Sequence, residues 1–195
     1  MINRGYFLIT DISGYTTFLT QSELDHAQHI IEALFASQLE SIKPPLKVSN
    51  FQGDAILCYV PADSLENGKR MFEQVNDIYR AFADKMAEMM IDPPCSCKAC
   101  SQISTLDLKI FVHFGEYLVK KMGDREEILG SDVILAHRLM KNNVKEKTGL
   151  DSYLLMTDSA FRQLGVDDPG IELINHSQSY EHIGDVPMYI SPLIG

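Results

Sequence analysis

Two long helical stripes separated by a single hairpin limit this chain to very few folds. Leu24, Ala27, Ile31, Leu34, Gln38 and Ile42 recur three or four positions apart, and Pro44-Pro45 ends the stretch. Phe72, Val75, Tyr79, Phe82, Met86 and Met89 repeat the pattern as a second core-facing stripe. Between them, 46–48 and 55–60 flank Gly53-Asp54 as hairpin arms, the second ended by Pro61. An apolar run at 5–10 precedes the first stripe and an alternating run at 106–114 follows the second, each reading as a strand. The order βαββαβ predicts a ferredoxin-like α+β domain, with a mainly antiparallel sheet and helices on one face.

Ser22-Glu23-Leu24-Asp25 has the form of a capping box, and Ser131 is expected to cap a helix over about 132–143. A strand at 153–156, a short helix at 158–164, a turn at 165–170 and terminal strands at 171–173 and 181–190 follow, with Pro187 placing the last at an edge. A chain of 195 residues that is 45% apolar sustains one substantial core, so 1–195 reads as a single domain with a cysteine-containing insert at about 91–103. The net charge is −10, and the basic clusters are no larger than Lys120-Lys121 and the 141–147 stretch, which excludes tracking of a nucleic-acid backbone. No run approaches the roughly 20 apolar residues of a membrane span. With no signal-peptide pattern at the N-terminus, a cytoplasmic protein with reduced thiols is expected.

Asp11 closes the run Phe7-Leu8-Ile9-Thr10 and opens onto Ile12-Ser13-Gly14-Tyr15-Thr16, and Asp54 closes Ser49-Asn50-Phe51-Gln52-Gly53. A strand that delivers a carboxylate into a small-residue turn and then a helix sets oxygen ligands beside free backbone N–H groups. That combination suits a Mg²⁺-bound polyphosphate. Either Asp taken alone could equally cap the following element.

The surrounding words carry a resemblance. Asp11-Ile12-Ser13-Gly14-Tyr15-Thr16 resembles the first metal-binding motif of class III nucleotidyl cyclases, and Phe51-Gln52-Gly53-Asp54 the hairpin turn carrying their second metal ligand. The run Leu108 to Glu116, ending His113-Phe114-Gly115-Glu116, is similar to the family's central strand. Gly130-Ser131-Asp132-Val133-Ile134-Leu135-Ala136-His137-Arg138-Leu139 is similar to its Gly-x-x-Val-Asn-x-Ala-x-Arg-Leu helix. The resemblance implies a two-metal site of Mg²⁺ or Mn²⁺ held by Asp11, Asp54 and the carbonyl of Ile12, with Ser13, Gly14, Tyr15 and Thr16 presenting N–H groups to a nucleoside triphosphate. It further implies a head-to-tail homodimer in which Arg138 stabilises the transferring phosphate across the interface. Neither a nucleic acid nor a membrane is an expected partner.

The departures are specific. The family's ribose-orienting Asn is Ile134 here, and its base-reading Lys and Asp fall at Asn50 and Glu127, which match neither the adenine nor the guanine pattern. His113 falls at a structural strand histidine, and His137 points about 100° around the helix from Arg138. In the insert, Cys95, Cys97 and Cys100 form Cys-x-Cys-x-x-Cys, a spacing that lets three thiolates meet on Zn²⁺ or an iron–sulfur centre; Cys58 or a histidine is the open choice of fourth ligand. The bland alternative is a tight loop of reduced thiols. The insert and substitutions resemble a divergent bacterial branch of cyclase-like proteins. Three functions stay open: a weak nucleotidyl cyclase, a degenerate nucleotide- and metal-binding module signalling through dimerisation, and another metal-dependent phosphoryl transfer.

Overall fold

The computed structural model describes residues 1–65, 68–93, 95–123, 125–166 and 170–193. β1 (Asn3–Ser13) is buried from residue 5 to 10 because both of its faces are covered. It pairs antiparallel with β3 (Ala55–Pro61) on one side and β4 (Asp107–Met122) on the other, and β2 (Lys47–Gln52) pairs antiparallel with β3. The sheet continues through β6 (Tyr153–Thr157), parallel to β4, then β8 (Gly184–Pro192) and β7 (Ile174–Tyr180), in the order β2-β3-β1-β4-β6-β8-β7. The outer half of β4 runs on to pair with β5 (Arg125–Leu129). The sheet is single and mainly antiparallel, as expected.

Period-2 alternation sorts the central strands into two cores. Leu8, Ile12, Ile56, Cys58, Ile110 and Val112 meet Ala27, Ile31 and Leu34 of α2 (Leu24–Ser41) and Met71, Val75 and Phe82 of α3 (Lys69–Ile91). Phe7, Ile9, Leu57 and Phe111 meet Val133 and Ala136 of α5 (Ser131–Arg138) and Val144 of α6 (Val144–Thr148). The long helices therefore share one face. The short α5 and α6 lie on the other, a departure from helices on one face alone, because β1 and β3 are apolar in both directions.

Several finer expectations are corrected. Ser22 does not cap α2: its hydroxyl has no hydrogen-bond partner among the described residues, and Glu23 takes the N-cap position with its carboxylate directed elsewhere. Leu24, in the first helical position, is 66% exposed. The helix expected to reach 143 ends at Arg138, and α6 and β5 were not foreseen. The strand expected at 171–173 begins at Ile174. Pro187 is not on an edge strand, because β8 lies between β6 and β7. It is tolerated where β8 has run past β6, whose pairing starts at Met188. The turn read at 165–170 lies partly outside the described residues. Among the described residues no helix is long and apolar enough to cross a membrane.

Candidate functional site

Asp11 emerges at the end of β1 where the strand meets Ala55 of β3, and the Ile12 N–H donates to the Asp54 carbonyl at 3.3 Å. The β2–β3 turn is thereby tied to the strand end, and the two predicted carboxylates arrive together. Burial, reinforced by the charge of Asp54, pushes the Asp11 carboxyl up to about 6, while Lys109 pulls it down. Asp54 is also raised, mainly by burial, against its own backbone N–H and Lys109. Two carboxylates held this way favour a bound cation.

Lys109 was not foreseen. It stands opposite Asp11 in the β1–β4 pair and opposite Tyr153 in the β4–β6 pair, with Nζ 5.8 Å from the Tyr153 ring centre. Tyr153 Oη donates to Asn142 Oδ1 at 2.8 Å. Only the strand register reveals this row; nothing in local sequence marks it.

Past Asp11 the backbone turns at Gly14, φ 84°, into α1 (Tyr15–Gln21). A Cβ at Gly14 would stand 2.6 Å from the Thr105 carbonyl oxygen, so glycine serves both the left-handed turn and this close approach. The N–H groups of the first turn, including those of Tyr15 and Thr16, have no intrahelical carbonyl to bond. Ser13 and Gly14 line a recess with Thr105, Asp107, Lys145 and Asp151.

Asn50 and Glu127 are brought to one groove, lined also by Ser49, Gln52, Tyr59 and Glu126. Asn50 follows a β-bulge, and its Oδ1 is enclosed without a hydrogen-bond partner among the described residues. Arg138 ends α5 and donates from Nη1 to the Glu181 carbonyl of the same chain. His137 turns toward the hairpin, its Nε2 3.5 Å from Gln52 Nε2, and burial lowers its pKa. Ile134 is 55% exposed. α5 is anchored through Asp132, which accepts from the Glu116 N–H at 2.6 Å and lies 3.7 Å from His113 Nε2. A Cβ at Gly115 would stand 2.4 Å from Asp132 Oδ2, so a side chain there would displace the anchor.

The cysteines form a separate group. Cys95, Cys97 and Cys100 lie beside His26 of α2, with all four ligand atoms within 4.8 Å of one another. All three are free thiols. The Cys97 thiol is lowered to about 7, chiefly by the Cys100 N–H, and Cys100 is pushed up to about 12 by burial and then by the neighbouring thiols. Cys58, one of the open choices of fourth ligand, lies buried in the core and is outside this cluster.

The family described as "Protein of unknown function (DUF2652)" matches residues 29–148. The uncharacterized protein Rv2561/Rv2562 of Mycobacterium tuberculosis is 31% identical over 113 residues, 58% of this chain and 50% of its own, so the chain spans about half the length of this curated relative. Among solved structures, the guanylyl cyclase Cya2 has a TM-score of 0.71 at 13% identity, covering 100% of this chain and 94% of that one. The guanylate cyclase domain of RhGC from Catenaria anguillulae, in complex with GTP, has a TM-score of 0.66 at 15% identity, covering 100% of both chains. At such identities the likeness shows the fold, which is that of class III cyclase catalytic domains.

Proposed function

This chain belongs to the DUF2652 family, and from its cyclase fold and its converging carboxylates we propose that it is a metal-dependent nucleotidyl cyclase of low turnover. It would convert a nucleoside triphosphate to a 3′,5′-cyclic nucleotide and pyrophosphate. The observation that carries the reading is the convergence of Asp11 and Asp54, tied by the Ile12 to Asp54 backbone hydrogen bond. The donor set fits hard divalent cations: two carboxylates, with the Ile12 carbonyl as a third oxygen. Mg²⁺ or Mn²⁺ bound there supplies Lewis acidity to the reacting hydroxyl and phosphate.

The remaining roles fall to the chain. The N–H groups of Gly14, Tyr15 and Thr16 accept no internal load and bond phosphate oxygens, with the Ser13 hydroxyl beside them. Asn50 and Glu127 meet the base edge in their shared groove. Arg138 exchanges the Glu181 carbonyl for oxygens of the transferring phosphate in the other subunit's site. The 3′-oxygen forms a bond to the α-phosphorus, the bond to pyrophosphate breaks, and the hydroxyl proton leaves to solvent. Exposed Val48, Phe51, Leu118, Val119, Leu129 and Ile134, on β2, the β4–β5 hairpin and α5, leave apolar surface for a homodimer, whose head-to-tail order is what the cyclase resemblance implies. Ile134 offers no hydrogen bond to a ribose, which lowers turnover by roughly 10² to 10³ on the scale of a lost transition-state contact. The setting of this reading is cytoplasmic signalling, and Zn²⁺ is the cation we assign to the cysteine insert.

A second reading rests on the same Ile134: a binding module that keeps metal and nucleotide but makes no product. Calorimetry with GTP and ATP analogues, with and without Mn²⁺, tests the shared part. Metal-dependent binding lost in Asp11→Asn and Asp54→Asn supports both readings; binding indifferent to metal or to those substitutions overturns both.

A further inference from the structure

His26 Nδ1 lies 3.1 Å from Cys97 Sγ and 3.1 Å from Cys95 Sγ, and Cys95 Sγ lies 3.6 Å from Cys100 Sγ. Around a zinc with bonds of about 2.3 Å to sulfur and about 2.0 Å to nitrogen, ligand atoms at the corners of a tetrahedron sit roughly 3.5–3.8 Å apart. The four atoms lie within 4.8 Å of one another, Cys95 and Cys100 at close to the tetrahedral spacing and His26 slightly nearer its two sulfurs. Shifts of a few tenths of an ångström to about one ångström therefore form a tetrahedral site, whereas a disulfide needs its sulfurs at about 2.05 Å. Two sulfurs also accept backbone N–H bonds, Cys95 from Cys97 at 3.4 Å and Cys97 from Cys100 at 3.4 Å, which suits thiolates.

A second contact brings the same two segments together. Glu23, three residues before His26, accepts from the N–H groups of Lys98 and Ala99 at 3.3 and 3.1 Å, capping α4 (Lys98–Ser101). Downstream of α4, the chain packs Ile103 and Leu106 into the core and sets the Thr105 carbonyl against Gly14.

We infer that His26, Cys95, Cys97 and Cys100 form a closed structural zinc site that clips the insert to the start of α2 and fixes the wall behind the Gly14 turn. Four protein ligands leave no open position, so the ion holds structure and takes no substrate. The zinc assignment deepens the cofactor reading above, but its test does not depend on nucleotide or on the Asp11–Asp54 site.

The test is metal analysis of the reduced full chain, purified without chelator and reloaded with excess Zn²⁺. Close to one zinc per chain is expected, with the cobalt-substituted protein showing the intense visible bands of tetrahedral thiolate coordination. His26→Ala, at an exposed position where folding should survive, should weaken zinc at least about tenfold, as should Cys97→Ser. Asp54→Asn should leave zinc content unchanged. Removing zinc should speed hydrogen exchange over 98–106 and at the Gly14 turn. Under a tenth of an equivalent after reloading, or iron in place of zinc, overturns the site. Unchanged zinc affinity in a folded His26→Ala variant overturns the fourth ligand, and unchanged exchange overturns the clip.

Discussion

Asp11 of β1 stands directly opposite Lys109 of β4, in a row that runs from Ala55 on one side to Tyr153 on the other. The ammonium lowers the pKa of both Asp11 and Asp54, so it acts as a resident counter-charge to the carboxylate pair. A divalent ion entering the same site meets that charge as repulsion. Removing Lys109 lets protons compete better for the carboxylates, but at pH 8, above the Asp11 value of about 6, that competition matters little and relief of the repulsion dominates. Lys109→Met should then tighten Mn²⁺ binding by about 1 kcal/mol, roughly fivefold, in calorimetry. Weaker binding would show that Lys109 supports the ligands instead.

Ile134 is exposed, so Ile134→Asn should change stability by no more than about 0.5 kcal/mol. Residues four apart share a helix face, which puts the new amide beside Arg138. Cyclic-nucleotide formation should rise about tenfold or more. A folded, dimeric, nucleotide-binding variant with no gain favours the binding-module reading.

Head-to-tail pairing makes a distinctive demand. Asp54→Asn and Arg138→Ala homodimers should both be inactive, yet mixing them should restore about a quarter of parental activity, since about half the dimers carry one intact site. Equal silence before and after verified subunit exchange would place Arg138 in its own chain's site.

Asp132 is held below the usual carboxylate range by the His113 ring and then by the Glu116 N–H, against desolvation. A depressed folded value contributes stability that is present above the ordinary Asp value of about 3.9 and lost as pH falls through the folded one. Asp132→Asn should therefore melt lower than the parent at pH 6, and the gap should close as pH falls below about 4. A gap that is constant from pH 6 to 3 contradicts the anchor.

The fold class was legible because the two helical stripes and the Gly53-Asp54 turn speak through local periodicity, whereas the strand order rests on pairings between distant segments. Asp11 and Asp54 stood out as a pair only through their resemblance to the cyclase motifs, since either alone reads equally well as a cap. His26 and Lys109 were not legible. Each becomes significant only when a distant segment reaches it, the insert for His26 and the register of β1, β4 and β6 for Lys109. Short elements also escaped, since Arg125–Leu129 is largely charged and Val144–Thr148 is one helical turn. The Ser22 capping signal failed because Glu23 takes the N-cap position and spends its carboxylate on α4.

The most direct measurement is product formation. Purified homogeneous protein is incubated with ATP and separately with GTP in Mn²⁺, and the products are separated chromatographically. A 3′,5′-cyclic nucleotide with equimolar pyrophosphate, slow in the parent and absent in Asp11→Asn, is the predicted result. Nucleotide recovered intact by a protein that binds it in Mn²⁺, or hydrolysed without cyclisation, contradicts the cyclase assignment.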